Sequence, residues 1–193
     1  MNELARRLAV ALCVVVTLWS RPASAEMAEV PADRAALILM RALAYDRKLK
    51  DRAGDELDLA VLVRAGDPKS KAHGEDVYAA FKALEEHTVA GLPVHVVMLE
   101  YSDRDALDRE MEKRDIDAVY VGSGLGGAVA EIRDAVRERD ATSLASTKSY
   151  VSAGLALGVF VDEDKPTIHL NLRAAKAEGA DFAAGLLRLV KMV

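Results

Sequence analysis

Hydrophobic positions along this chain alternate between helical and extended spacing. Ala36, Leu39, Met40 and Leu43 fall at i, i+3, i+4 and i+7, which predicts an amphipathic helix over residues 33–49 with Asp33 as its N-cap. Residues 57–63 are short and largely apolar, as a buried strand would be. Val77, Ala80, Phe81 and Leu84 form the next helical stripe, and residues 93–99 the next strand. Ser102 and Asp103 can cap a charged helix reaching Lys113, in which only Ala106, Leu107 and Met111 point inward, so it belongs on the surface.

The alternation continues through a strand at residues 118–121, a glycine loop at 122–127, a helix carrying Val129, Ile132 and Val136, and a strand near 142–145. Repeated strand-to-helix units with short connections predict a parallel sheet with helices on both faces. Residues 154–161 and 166–172 are joined by Asp162, Glu163, Asp164 and Lys165, too few for a crossover, so these two strands must pair antiparallel. A final helix over residues 173–192, with the stripe Phe182, Leu186, Leu189, Val190 and Val193, is expected to cross the sheet. The expected fold class is α/β: a single three-layer domain, mostly parallel sheet with a C-terminal antiparallel hairpin and helices on both faces.

The amino terminus changes the picture of where this domain works. Arg6 and Arg7 precede an apolar run over residues 8–19, and Ala23 and Ala25 supply the small residues read by a signal peptidase, so cleavage is expected after Ala25. A membrane-spanning helix needs roughly 20 apolar residues, and Arg21 and Pro22 stop this run sooner. Residues 1–25 are thus expected as signal peptide, 26–32 as a flexible lead-in and 33–193 as the domain. Cleavage removes Arg6, Arg7, Arg21 and Glu3, so the 26 basic and 31 acidic side chains of the full chain become 23 and 30, a net charge near −7. That charge excludes nucleic acid as a natural partner. Cys13, the single cysteine, leaves with the signal, so neither a disulfide nor a thiolate metal site is expected.

Gly122, Ser123, Gly124, Leu125, Gly126 and Gly127 satisfy G-x-G-x-x-G between a strand and a helix. A dinucleotide site would use such amides, but this loop follows the third strand of the series and the next strand offers no acidic residue for a ribose. A tight strand-to-helix turn is favoured. Between the two stands a crevice at the strand ends, where Gly122, Ser123, Gly124, Gly126, Ser146 and Lys148 can bind a small anion or carboxylate.

Other catalytic patterns are weaker. Val121 stands where a nucleophile elbow around Ser123 needs glycine, and Gly66 to Ser70 lacks the second glycine of a phosphate loop. His73, His87, His95 and His169 have no ligand spacing, and His95 and His169, inside strands, are expected as structural histidines. No acid, base, nucleophile or metal set converges, so the chain is expected to be no enzyme and to carry no cofactor or metal. Asn171 ends the last strand where a helix begins and is expected as its N-cap, accepting from the amide of Arg173 or Ala174.

The run Tyr150-Val151-Ser152-Ala153-Gly154-Leu155-Ala156-Leu157-Gly158 and the run Ile168-His169-Leu170-Asn171-Leu172-Arg173-Ala174-Ala175-Lys176 resemble the paired signature of the YfiR-like family of exported bacterial regulators. The aromatic Trp-Pro pattern that many members carry after the first helix is replaced here by Tyr45-Asp46-Arg47-Lys48-Leu49, and the cysteines of some members are absent. The resemblance implies a periplasmic protein that binds the outward-facing part of an inner-membrane diguanylate cyclase, represses it, and thereby affects cyclic di-GMP signalling. It also implies self-association, so a homodimer is expected. The competing reading is a single-lobe periplasmic binder of a small solute or anion that works with a transporter.

Overall fold

The computed structural model describes residues 29–193, so the expected signal peptide and residues 26–28 of the lead-in lie outside the described residues. Val30 is already buried, and the first helix, α1 (Ala32–Leu43), starts directly after Pro31. Pro31 holds the N-cap place and Asp33 sits in the first turn, where its charge favours the helix dipole. α1 is shorter than expected. The Asp46 carboxylate accepts from the Lys48 and Asp181 amides, which offers the backbone an alternative to helix and turns it into the short α2 (Leu49–Ala53).

The chain then runs β1 (Leu57–Arg64), α3 (Pro68–Lys82), β2 (Val94–Tyr101), α4 (Arg104–Arg114), β3 (Ala118–Val121), α5 (Val129–Glu138) and β4 (Thr142–Ala145). α6 (Lys148–Ser152), β5 (Leu157–Asp162), β6 (Lys165–Leu170), α7 (Leu172–Ala177), α8 (Ala184–Leu187) and β7 (Val190–Met192) complete it. One seven-stranded sheet has the order β2-β1-β3-β4-β5-β6-β7. The first five in that order are parallel, β6 is antiparallel to β5, and β7 runs parallel to β6.

Alternate residues of each central strand feed two apolar layers. Leu57, Leu59 and Val61 of β1 face a cluster with Leu39 and Leu43 of α1 and Phe81 of α3. Ala60 and Leu62 face the other cluster, with Met111 of α4 and Ile132 and Val136 of α5. Burial on both faces explains why β1 and β3 read as continuous apolar runs. Full burial of each large aliphatic side chain contributes about 1.5–3 kcal/mol. α4 turns only Leu107 and Met111 inward, and Asp103 caps it by accepting from the Ala106 amide at 2.8 Å.

The expected class, α/β with a mostly parallel sheet and an antiparallel hairpin, is the observed one, but the C-terminal end differs from the sequence reading. The expected helix over 173–192 is three separate pieces. α7 stops at Ala177, and Gly179 takes a positive φ of 77° that reverses the chain. Main-chain bonds from the Arg47 amide to Asp181 and from the Ala183 amide to Tyr45 then tie this tail to the turn after α1. Beyond α8, residues 190–192 add to the sheet beside β6. Of the predicted stripe, Phe182 and Leu186 are buried, whereas Leu189 is 64% and Val193 51% exposed. The hairpin is also tighter than expected. Asp162 pairs with Lys165, and Glu163 and Asp164 form a two-residue turn with both φ values positive, the geometry whose twist suits a hairpin.

Candidate functional site

Tyr120 of β3 and Val159 and Val161 of β5 point towards α1 and α3 near the carboxyl ends of their strands. The small Ala145 ends β4 between them, and the chain turns away there through Ser146, Thr147, Lys148 and Ser149. α1 and α3 contribute Leu39, Val77 and Phe81 as apolar wall, and the β5–β6 turn contributes Glu163 and Asp164. The result is a cavity of about 950 Å³, within the range of small-molecule sites.

Two hydroxyls at this cavity are poorly satisfied. Ser146 Oγ is buried without a hydrogen-bond partner among the described residues. Tyr120 is 6% exposed, and its hydroxyl lies 3.5 Å from His73 Nε2, beyond a well-formed bond. Burial, and then the negative charge of Glu29, push the Tyr120 hydroxyl upward from its ordinary pKa. Phe81 meets the Tyr120 ring edge-on at 5.7 Å.

Lys148 is held at the rim rather than left free. Its ammonium donates to Asp162 and, at 3.3 Å, to the Val161 carbonyl. Asp162 also accepts from Lys191 at 3.0 Å and pairs with His169 Nε2 at 2.8 Å. Hydrogen bonds from Lys148, then Lys191, then His169 hold the Asp162 carboxyl below the usual carboxylate range. This gives His169 the structural role expected of it, while His95, at the edge of the sheet, pairs with Asp58 at 2.7 Å.

The structure thus brings Ser146 and Lys148 together in one cavity and places Gly122, Ser123, Gly124 and Gly126 outside its lining. The glycine loop is packed against β1 and the start of α3. The Gly122 amide donates to Leu62 at 3.0 Å, and a Cβ at Gly122 would sit 2.5 Å from that carbonyl. Ser70 Oγ donates to the Ser123 carbonyl at 2.6 Å and Arg64 to that of Gly124 at 3.2 Å. The Tyr150 ring and hydroxyl lie close to Gly126. Asn171 caps α7 by accepting from the Ala174 amide at 3.0 Å, and its Nδ2 donates to Val151. Tyr120, His73, Glu163 and Asp164 escaped the sequence reading because they come from three distant segments, with no local pattern to join them.

The opposite edge of the sheet holds a second polar cluster. Glu178 is fully buried and accepts from the amide and hydroxyl of Ser143 at 2.8 and 2.6 Å. Burial pushes its carboxyl up to about 8, against the opposing pull of the Ser143 bonds, Arg137 and Arg52. Arg52 links the buried Asp46 carboxylate, Thr142 Oγ1 and the carbonyls of Asp140 and Glu178. Among the described residues no group of three or more His, Cys, Asp or Glu is placed to hold a metal ion, and no helix is long and apolar enough to cross a membrane.

The α/β fold of this chain is shared with several bacterial proteins of known structure. The ABC domain of Streptococcus pneumonia in complex with L-Trp superposes with a TM-score of 0.60 at 15% identity, over 84% of this chain and 62% of that one. A conserved domain protein from Vibrio cholerae gives 0.62 at 13% identity, over 84% and 60%. CD0873, a substrate-binding protein from Clostridium difficile in its ligand-free, open form, gives 0.53 at 15% identity, over 76% and 57%. At these identities the likeness is one of fold, and the chain covers about three fifths of each of those proteins. No curated protein sequence matches the chain. The DUF4154, YfiR/HmsC-like family matches residues 36–191, and the chain belongs to that family.

Proposed function

We propose that this protein is an exported, non-enzymatic regulator that binds the outward-facing part of an inner-membrane signalling protein, such as a diguanylate cyclase, and holds it inactive. The observation that carries this reading is the family match, which runs from α1 through β7. A periplasmic repressor of this kind needs an input that favours the free or the complexed state, because a ligand shifts an equilibrium only through a difference in affinity for its two states. The cavity beneath Ser146 and Lys148 is the candidate receiver of that input. The decisive experiment is affinity capture of the protein from crosslinked membranes with mass spectrometry of its partners. The expected result is a membrane protein with a cyclase or other signalling output, together with a rise in cyclic di-GMP when the regulator is deleted. Capture of a transport permease, with cyclic di-GMP unchanged, overturns the reading.

That opposite result belongs to the second reading, a solute-binding lobe associated with a transporter. What favours it is the common fold with substrate-binding proteins and the position of the cavity at the carboxyl edge of the sheet.

A further inference from the structure

The cavity at the carboxyl edge has an uneven charge. Four carboxylates line it: Glu29 before α1, Asp76 on α3, and Glu163 and Asp164 in the β5–β6 turn. Lys148 is the one lysine or arginine among its lining residues, and its ammonium is already matched by Asp162. Anything entering therefore meets a surplus of negative charge in a partly desolvated space, where charges are screened less than in bulk water. The deeper wall is apolar and aromatic, with Leu39, Val77, Phe81, Tyr120 and Val159.

We propose that this cavity binds an amphipathic organic cation, an amine carrying an aromatic or aliphatic body, with the ammonium group among the rim carboxylates and the body against α1, α3 and β5. An ammonium offers three donors and no acceptor. The rim carboxylates offer acceptors only, the complement of such a group. The apolar side chains of the deeper wall, Leu39, Val77 and Val159 among them, would take the body of the ligand out of water. The sign of this charge is opposite to the one the glycine-loop amides would select. The Gly122 amide is already taken by the Leu62 carbonyl, and the glycine loop lies outside the cavity lining.

The inference rests on the cavity and not on the identity of any membrane partner, so binding to the purified protein tests it separately from the regulatory reading. Calorimetric titration with 2-phenylethylamine and with phenylacetate compares one aromatic body carrying opposite charges. The amine is expected to bind at least about tenfold more tightly, with the preference shrinking as salt is added. The double change Glu163→Gln and Asp164→Asn sits in an exposed turn and leaves the fold intact, and it should weaken the amine about three- to tenfold. Phenylacetate binding as tightly as the amine, no binding by either probe, or an amine affinity untouched by the double change would each overturn the proposal.

Discussion

The two edges of the parallel sheet both gather polar side chains, yet they treat them differently. At the amino edge, both oxygens of Asp46 and both of Glu178 accept hydrogen bonds from the protein. At the carboxyl edge, four carboxylates line a cavity and the Tyr120 hydroxyl has only a distant partner. Polar groups satisfied by protein form a clamp, here joining β4 to the turn after α1 and to the tail. Polar groups that face a cavity remain available to a ligand. The difference separates residues that hold the fold from residues that can read a signal.

The largest effect is expected in the apolar layer that both edges share. Leu186 is 1% exposed, so Leu186→Asp would bury an unpaired charge and should abolish cooperative melting, whereas Leu189→Asp, at a site 64% exposed, should melt like the parent in calorimetry. At the amino edge, Arg52→Ala strands the buried Asp46 carboxylate and should cost about 3–5 kcal/mol in denaturant unfolding. The same variant should keep the affinity of the cavity, and a parallel loss of binding would show that the two edges are not independent.

The edges should also respond to pH with opposite sign. Glu178 carries a carboxyl raised from 4.5 to about 8, so its folded form holds a proton that the unfolded chain has released. Stability from this group is complete below pH 4.5 and declines as pH rises towards 8, and Glu178→Gln should flatten that decline in melts followed across the interval. Asp162, lowered from 3.8 by its cationic partners, has the reverse sign: its contribution is present above pH 3.8 and is lost as acid protonates the carboxylate. Asp162→Asn should therefore remove part of the acid sensitivity and loosen Lys148 at the cavity rim. The smallest effect is expected at Asn171, where Asn171→Ala removes the α7 cap and should cost about 1 kcal/mol, with ligand affinity retained.

Much of the framework is legible in the sequence. The 3.6 period of Ala36, Leu39, Met40 and Leu43 gave α1, and the shortness of the link after residue 161 forced an antiparallel hairpin. Asn171 was readable as a cap because capping depends on a residue and the amide three places ahead. The tail failed for an equally physical reason. Phe182, Leu186, Val190 and Val193 have helical spacing, but Gly179, the bonds to Tyr45 and Arg47, and the free edge of β6 together outweigh local propensity. The candidate site was half legible: Ser146 and Lys148 could be placed at strand ends, while their company could not.

Sequence by itself determined the alternation of strands and helices from β1 to β4, the antiparallel return and the caps at Asp103 and Asn171, because each rests on neighbours within a few residues. Tertiary structure alone decided that residues 190–192 become an edge strand, that Glu178 is sealed against Ser143, and that Tyr120, Asp76 and Glu163 meet around one cavity. Those outcomes depend on which distant backbone bonds and apolar faces are left unpaired once the sheet has formed. No local spacing records that.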